Sequence, residues 1–378
     1  MTVLTAIGLM SGTSLDGIDA AILHTDGEGH IEFGPTLHVP YSRDLKIWTR
    51  RAIKAALEGR DGAADIGKAD GEITLAHTEA VEALLEKAGL KRTAVDVIGF
   101  HGQTILHRPA KTAEHVGRTW QLGDGPTLAE DTKIDVVSDF RRADVEAGGE
   151  GAPFAPVYHA ALSCKHREET GLAGAIGVIN LGGVSNVTYV PDSDSILDLV
   201  AFDCGPGNGL IDEWMELQTG KAMDKDGAMA RAGKVHADRL RMMLLNPYLR
   251  RKPPKSLDRY DFKLDEVSDL SPEDGAATLT AFTAACLRKA EDHLPEAPFL
   301  YVVAGGGRHN PALMEALDKA LEASVVPAED VGWRGDDLEA ECFAYLAVRS
   351  LKKLPLSYPK TTRVPRPMQG GAYSRAPI

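Results

Sequence analysis

One order of elements occurs twice along the chain, and it restricts the fold more than any single motif. Residues 3–9 are a short apolar run, followed by Ser11-Gly12-Thr13-Ser14-Leu15-Asp16-Gly17 and a second run over 18–23. Two apolar runs joined by Gly, Ser, Thr and Asp read as a β-hairpin. A third run, 31–39, adds to the same sheet, and 42–57 has helical spacing with Ser42 as N-cap. The second half starts again: strands over 176–181, 184–190 and 197–202, with Gly182-Gly183 between the first two, then a helix from Leu210. This is a duplication of pattern without evident sequence identity between the halves. A chain of 378 residues exceeds the usual single core, so two domains are expected. They are placed at 1–138 and 139–353, with the Pro-rich, basic tail 354–378 lying over the surface of the first.

Between these repeats, a helix is predicted over 73–90 after a loop at 58–67, and a buried strand over 95–100 ends in His101-Gly102-Gln103-Thr104. Short strands follow at 119–122 and 134–137, with a helix from Thr127 between them. Residues 139–153, Asp-Phe-Arg-Arg-Ala-Asp-Val-Glu-Ala-Gly-Gly-Glu-Gly-Ala-Pro, form a charged, glycine-rich loop directly after a strand, which is a site signal more than a linker signal. Helical spacing recurs at 234–245, 275–293, 311–321 and 338–351, and the strand over 300–304 runs into Gly305-Gly306-Gly307.

The chemistry is concentrated where apolar runs meet glycine. Ala201-Phe202-Asp203-Cys204-Gly205-Pro206-Gly207-Asn208 delivers a carboxylate at the end of a buried run, and its glycines permit positive φ or close approach of a ligand to the backbone. The helix beginning at Leu210 offers free N–H groups that attract phosphate. The plainer alternative is an Asp203 that caps this helix. Four such turns follow strands, at 11–17, 182–183, 205–207 and 305–307, and α/β architecture gathers ligands at strand ends. In the first turn the donors of Ser11, Thr13 and Ser14 suit phosphate oxygens, while Asp16 or Asp19 could hold Mg²⁺ directly or through water. No G-x-x-x-x-G-K-[ST] and no strand-linked G-x-G-x-x-G occurs in these turns, which disfavours a P-loop or a Rossmann site.

A formal net charge of −13 argues against nucleic acid or an anionic membrane as partner. Any phosphate must be met by local N–H groups or a metal. Cys164, Cys204, Cys286 and Cys342 are scattered without a C-x-x-C pair and read as reduced core thiols. The N-terminus has no signal-peptide pattern and no apolar run reaches membrane-spanning length, so a soluble cytoplasmic protein is expected.

Two phosphate-type hairpins and a late triple-glycine turn resemble the actin-like ATPase superfamily of sugar kinases, chaperones and actin. The likeness narrows. Gly8-Leu9-Met10-Ser11-Gly12-Thr13-Ser14-Leu15-Asp16-Gly17-Ile18-Asp19, His101 to Thr104, Asp139 to Arg142 with Gly148 to Pro153, Asn180 to Asn186, Phe202 to Asn208, and Gly305 to Gly307 resemble, in order, the anhydro-N-acetylmuramic acid kinase family. That resemblance implies two actin-like (ribonuclease H-like) domains with a cleft between them. It implies ATP and Mg²⁺, and a small-molecule substrate, 1,6-anhydro-N-acetylmuramic acid, opened by water and phosphorylated on its 6-oxygen during murein recycling.

By the same resemblance Asp203 is the base that takes the proton of the attacking water. Gly12, Thr13, Ser14, Leu15, Asp16, Gly17, Ile18 and Asp19 match the nucleotide phosphate loop. Gly182, Gly183, Gly205, Gly207, Asn208, Gly305, Gly306 and Gly307 complete the expected nucleotide site. Glu339 matches an acid that contacts the sugar. His101, Gln103 and Arg142 suit its N-acetyl, lactyl carboxylate and hydroxyl groups, with Arg142 assigned to the lactyl carboxylate by charge pairing. A homodimer is compatible with these features. A chaperone-like nucleotide switch would need a further peptide-binding module that 378 residues leave no room for. A hexokinase-type kinase acting on an existing hydroxyl does not account for the loop from Arg142 to Pro153 and stands as the alternative.

Overall fold

The computed structural model describes residues 2–12, 14–110, 117–193, 195–257 and 261–377. Strands β1 (Leu4–Ser11), β2 (Gly17–Thr25) and β3 (Ile31–Pro40) form an antiparallel meander, as the apolar runs predict. Helix α1 (Arg43–Leu57) opens with the expected cap, the Ser42 hydroxyl accepting from the Leu45 N–H at 3.1 Å. Helix α2 (Ala64–Ala88) begins well before residue 73 and closes on Gly89 in the left-handed region. The polar start of α2 hides it from a reading based on apolar spacing.

Strand β4 (Val97–Arg108) then runs parallel to β1 and does not stop at Phe100. It passes through His101-Gly102 as a bulge, in which Ser11 pairs with Gln103 while Leu9 pairs with Phe100. Gly102 carries φ +70° and lies so close to β5 (Arg118–Leu122) that a Cβ would sit 2.2 Å from the Leu122 carbonyl. Helix α3 (Gly125–Thr132), β6 (Val136–Ser138), the short α4 (Arg142–Glu146) and α5 (Pro156–Thr170) follow. The expected loop over 139–153 thus contains one helical turn.

The repeat comes next: β7 (Ile176–Leu181), β8 (Val184–Val190) and β9 (Val200–Pro206), then α6 (Gly209–Thr219). After α7 (Ala228–Ala232), α8 (Ala237–Met243) and α9 (Pro272–Ala290), β10 (Leu300–Ala304), α10 (Pro311–Ala320) and β11 (Ser324–Pro327) complete a sheet of order β11-β10-β7-β8-β9. Helix α11 (Leu338–Leu351), α12 (Pro359–Thr362) and β12 (Ala372–Ser374) end the chain. The first sheet has the order β12-β6-β4-β1-β2-β3, with β5 on β4. Each sheet is a three-strand antiparallel meander extended by parallel strands, β4 and β6 in the first and β10 and β11 in the second, with β5 and β12 added antiparallel to the first; this is the mixed α/β class expected from the sequence.

Two compact units result, one of residues 1–165 with 337–378 and one of 166–336. Segments 139–165 and 337–353, assigned to the second domain from sequence, fall in the first unit. The reason is α11, which lies directly on β1, β2 and β4. At Gly8 an added Cβ would stand 1.8 Å from the Ala340 carbonyl, and at Gly99 it would stand 2.0 Å from that of Phe343. Tyr158 of α5 joins the same helix by donating to the Glu341 carboxylate at 2.7 Å. The tail contributes more than a surface strap, since β12 pairs antiparallel with β6 and extends the sheet.

The first unit's core is built on Ile7, Leu9, Ile18, Ile22 and Phe100 under α1 and α2. The second has one cluster around Phe202, Tyr301 and Leu313 and another around Trp214, Phe282 and Leu279. All four cysteines are free thiols, and all but Cys164 are buried, as expected.

Gly8→Ala is therefore expected to destabilise the chain by about 1–3 kcal/mol or more, because the obstacle is helix backbone that cannot rotate away. Gly67→Ala, at an exposed helical site with nothing within 4 Å, is expected to stabilise by about 0.5–1 kcal/mol. Denaturant unfolding of both variants checks this, and equal stabilities would refute the close approach.

Candidate active site

In the second unit three glycine turns come together. The Gly207 N–H donates to the Gly183 carbonyl at 3.1 Å and the Asn208 N–H to that of Gly182 at 2.9 Å. Neither Gly205 nor Gly207 has positive φ; glycine is required there by proximity, with a Cβ at 207 lying 2.1 Å from the Gly182 carbonyl and one at 205 lying 2.8 Å from Cys286 Cβ. Gly305, at φ +77°, lies against Asn180 and Leu181, so the third turn packs on the first. Gly183 and Gly306 have nothing within 4 Å of an added Cβ and are exposed. These turns form a cradle whose open face is backbone. Arg308 braces it: the buried guanidinium donates to the Gly305 carbonyl at 3.0 Å and pairs with Glu329 at 2.7 Å and Asp336 at 2.8 Å.

Asp203 lies inside β9 rather than after it. Ser185 pairs with Gly205 but Asn186 with Asp203, so Cys204 is an extra residue that bulges the strand. The segment around residues 248–257 holds Asp203 from the side: Leu257 N–H donates to Oδ2 at 2.8 Å, Asp203 N–H donates to the Lys255 carbonyl at 3.1 Å, and the Tyr248 hydroxyl donates to the Asp203 carbonyl at 2.8 Å. Helix α6 has Asn208 at its N-cap position, so Asp203 does not cap it. Lys255 is buried, its ammonium 4.7 Å from the Tyr248 ring centroid and 5.5 Å from that of Phe202, and burial pushes its pKa down.

In the first unit the β1–β2 turn is tied to the β4 bulge. Ser11 is buried and donates to the Gly102 carbonyl at 3.0 Å, and the Gln103 amide donates to the Gly12 carbonyl at 3.2 Å. Tyr41 donates to Gln103 Oε1 at 3.2 Å, and burial pushes that phenol up to about 12. Leu15 adopts φ +56° and is buried between exposed Ser14 and exposed Asp16. Thr13 lies outside the described residues. Gly12, Ser14, Asp16, Gly17, Ile18 and Asp19 are described; Gly17 and Ile18 are buried as the first residues of β2.

Asp16 Oδ1 accepts from Ser14 Oγ at 2.7 Å and from the Gly17 N–H at 3.0 Å, and Asp19 Oδ1 takes His38 Nδ1 at 2.7 Å. Burial, reinforced by Asp16 and Asp337, pushes the Asp19 carboxyl up, against the pull of His38. Among the described residues no three His, Cys, Asp or Glu side chains form a metal cage. The donor set nevertheless suits Mg²⁺: exposed Asp16 and half-buried Asp19 each have a second carboxylate oxygen, and Mg²⁺ usually keeps several waters and takes only one or two protein carboxylates.

The sugar residues expected from sequence separate into two kinds. His101 is buried, its Nδ1–H donating to the Gly102 carbonyl at 2.6 Å and its Nε2 accepting from Arg141 Nε at 3.0 Å. Burial and Arg141 hold its pKa well below the ordinary value, so the ring is neutral. Gln103 is likewise spent on protein partners. Glu339, in the first turn of α11, is exposed, and surrounding protein pushes its carboxyl up while Arg141 opposes the rise. Arg142 is 65% exposed and pairs with Asp139 at 2.9 Å. Arg141 is the inward-facing member of the pair, also donating to the Gly151 carbonyl at 2.7 Å.

With this geometry described, comparison with known proteins decides the family. The sequence model of anhydro-N-acetylmuramic acid kinase matches residues 4–375. The chain belongs to the anhydro-N-acetylmuramic acid kinase family. A relative of that name from Nitrobacter winogradskyi is 47% identical over 378 residues, covering 98% of this chain and 100% of its own. One from Rhizorhabdus wittichii is 48% identical over 377 residues, covering 99% and 100%. Among solved structures, the (R)-2-hydroxyglutaryl-CoA dehydratase component A of Acidaminococcus fermentans aligns at a TM-score of 0.48 and 14% identity, covering 91% of this chain and 99% of that one.

The sequence reading assigned Arg142 to the sugar and gave Arg141 no role, although Arg141 is the one that turns inward. Nothing in the sequence Arg-Arg says which side chain turns inward; the positive φ of Asp139 and the turn of α4 decide it. Among the described residues no helix is long and apolar enough to cross a membrane.

The histidines of this kinase's first unit give a pH signature. Burial holds His77 and His107 down to about 4 and His159 to about 3. An unfolded histidine binds its proton near about 6.5. Between that pH and 4 the unfolded chain binds protons that the folded one refuses, so stability is full above 6.5 and is lost as pH falls. The unfolding free energy is expected to drop between about pH 6.5 and 5, before most carboxylates titrate. His77→Leu is expected to make that drop shallower. Urea titrations at several pH values check it, and an unchanged slope in the variant would refute it.

Proposed function

We propose that this chain converts 1,6-anhydro-N-acetylmuramic acid, water and ATP to N-acetylmuramic acid 6-phosphate and ADP, as part of murein recycling. The water oxygen bonds to the anomeric carbon, the bond from that carbon to the 6-oxygen breaks, and the 6-oxygen takes the γ-phosphoryl group. The observation that carries the reading is Asp203: a carboxylate on a bulged strand, aimed by Leu257, Lys255 and Tyr248, two residues before Gly205 of the glycine cradle. Water is a poor nucleophile, and a carboxylate held in place can accept its proton as it attacks.

The glycine turns support phosphate binding by bringing backbone N–H groups within reach of anionic oxygens without a Walker lysine. Mg²⁺, held by Asp16 and Asp19 directly or through water, would neutralise phosphate charge during transfer. Glu339 and Arg142 present exposed groups to the sugar, Arg142 to its lactyl carboxylate. His101, Gln103 and Arg141 keep the surrounding backbone in place.

The test of the reaction is mass spectrometry of rapidly quenched product formed in oxygen-18 water. One heavy oxygen at the anomeric carbon is expected; none there would favour phosphoryl transfer to an existing hydroxyl. Asp203→Asn is expected to reduce turnover by about 10²–10⁴-fold, the usual worth of a general base, while melting temperature and nucleotide affinity stay near wild type. Asn keeps an oxygen for the Leu257 N–H, so near-normal turnover would return Asp203 to a structural role. Turnover is also expected to stop in excess chelator and return with added Mg²⁺; full activity in chelator would remove the ion from the mechanism.

A further inference from the structure

We propose that residues 358–364 of the C-terminal segment are a clasp that positions the loop carrying Arg141 and Arg142, with Thr362 as its central positioning residue. The segment turns back on itself at α12, whose first turn is closed by reciprocal bonds between Tyr358 and Thr361. Thr362 is fully buried, and its hydroxyl donates to Asp144 Oδ2 at 2.6 Å. Asp144 is buried as well, and its other oxygen accepts the Gly151 N–H at 2.7 Å. The Thr362 carbonyl accepts the Glu150 N–H at 2.6 Å. Arg363 pairs with the buried Glu150 carboxylate at 3.2 Å and donates to the Ala110 carbonyl at 2.7 Å. At Gly149 the fit leaves no room for a side chain, since a Cβ would meet Asp144 Oδ1 at 2.1 Å and Val364 at 2.6 Å.

Thr362, Arg363 and Val364 meet the glycine-rich stretch 148–151 at Gly149 and Glu150, and Thr362 reaches Gly151 through Asp144; this is the part of the loop whose backbone would lose most freedom on ordering. The grip then passes inward, because the Gly151 carbonyl accepts from Arg141, whose Nε holds His101. Thr362 touches neither substrate; it acts through Asp144 and Gly151. Removing its hydroxyl takes from the buried Asp144 carboxylate its 2.6 Å donor and leaves Ser357 and Arg141 as the side chains acting on it, so the loop relaxes to make up the lost bond. The clasp rests on the proposed sugar reading for its kinetic consequence, while its mechanical consequence does not depend on that reading.

Thr362→Val in the full chain is the test. The KM for the anhydro-sugar is expected to rise about 10–100-fold, in keeping with small misplacements of positioning groups, with the KM for ATP little changed and Thr362→Ser restoring the wild-type value. Amide hydrogen exchange over residues 142–153 is expected to accelerate in the Val variant without faster exchange in the sheet. If wild-type enzyme does not turn over the anhydro-sugar, the functional reading fails and the exchange measurement decides the clasp alone. Unchanged exchange over that loop, or equal rises in both KM values, would overturn the proposal. Should Thr362→Val fail to fold, Arg363→Ala, at a partly exposed position, is expected to show the same localised exchange and a smaller rise in sugar KM, and its absence would overturn the proposal as well.

Discussion

Backbone-to-backbone contact between α11 and the first sheet is the constraint on which the rest of the structure depends. A helix normally rests on a sheet through side chains, but Gly8 and Gly99 let the carbonyls of Ala340 and Phe343 enter the space where Cβ atoms would be. The same approach fixes the path of the chain. Once residues 166–336 are complete, the chain must return to β1 and β4, and the first turn of α11 brings Asp337 and Glu339 back with it. Asp337 accepts from Thr36 at 3.1 Å, and its charge acts on Asp19, while Glu339 interacts with Arg141. Thus one close contact assembles acidic and basic groups from three distant stretches of sequence.

The second unit uses the same device on a smaller scale. Its turns meet through backbone atoms because glycine stands at 207, 305 and 307, and the result is a surface of peptide groups. Such a surface fits the charge of the whole chain. At a net charge of −13 there is no long-range field to draw in phosphate, so binding must come from dipoles fixed at short range. Arg308 does not supply it, since its guanidinium is buried and bonded to Gly305, Glu329 and Asp336. It secures the cradle, and in the proposed reaction it would leave the anion to the backbone.

The meanders were legible because each run buries apolar residues between turn signals, and α1 because Ser42 and its spacing agree. Polar residues in the middle of elements were misread as their ends. His101-Gly102-Gln103-Thr104 looks like a turn and is the bulged centre of β4; Asp203 looks like a strand end and lies within β9. Domain limits were missed for a different reason, since local pattern gives no warning that a helix will return to an earlier sheet. The inward turn of Arg141 and outward turn of Arg142 depend on a left-handed residue at Asp139, a position where the sequence has no glycine to announce it.

Asp203 shows how structural and chemical roles can be separated at one residue. As an acceptor for the Leu257 N–H it needs an oxygen, and a neutral amide would serve. A carboxylate in a half-buried strand beside an aromatic-lined lysine is a costlier solution, because removing charge from water is opposed unless it is compensated. Lys255 supplies part of that compensation, and its own pKa is lowered by burial in doing so. The chain thus places an ionisable acid where hydrogen bonding alone would not require one. The bulge at Cys204 then re-aims the strand at that point. Charge and aim together are what proton acceptance from a bound water demands, and neither is needed to hold β9 in its sheet.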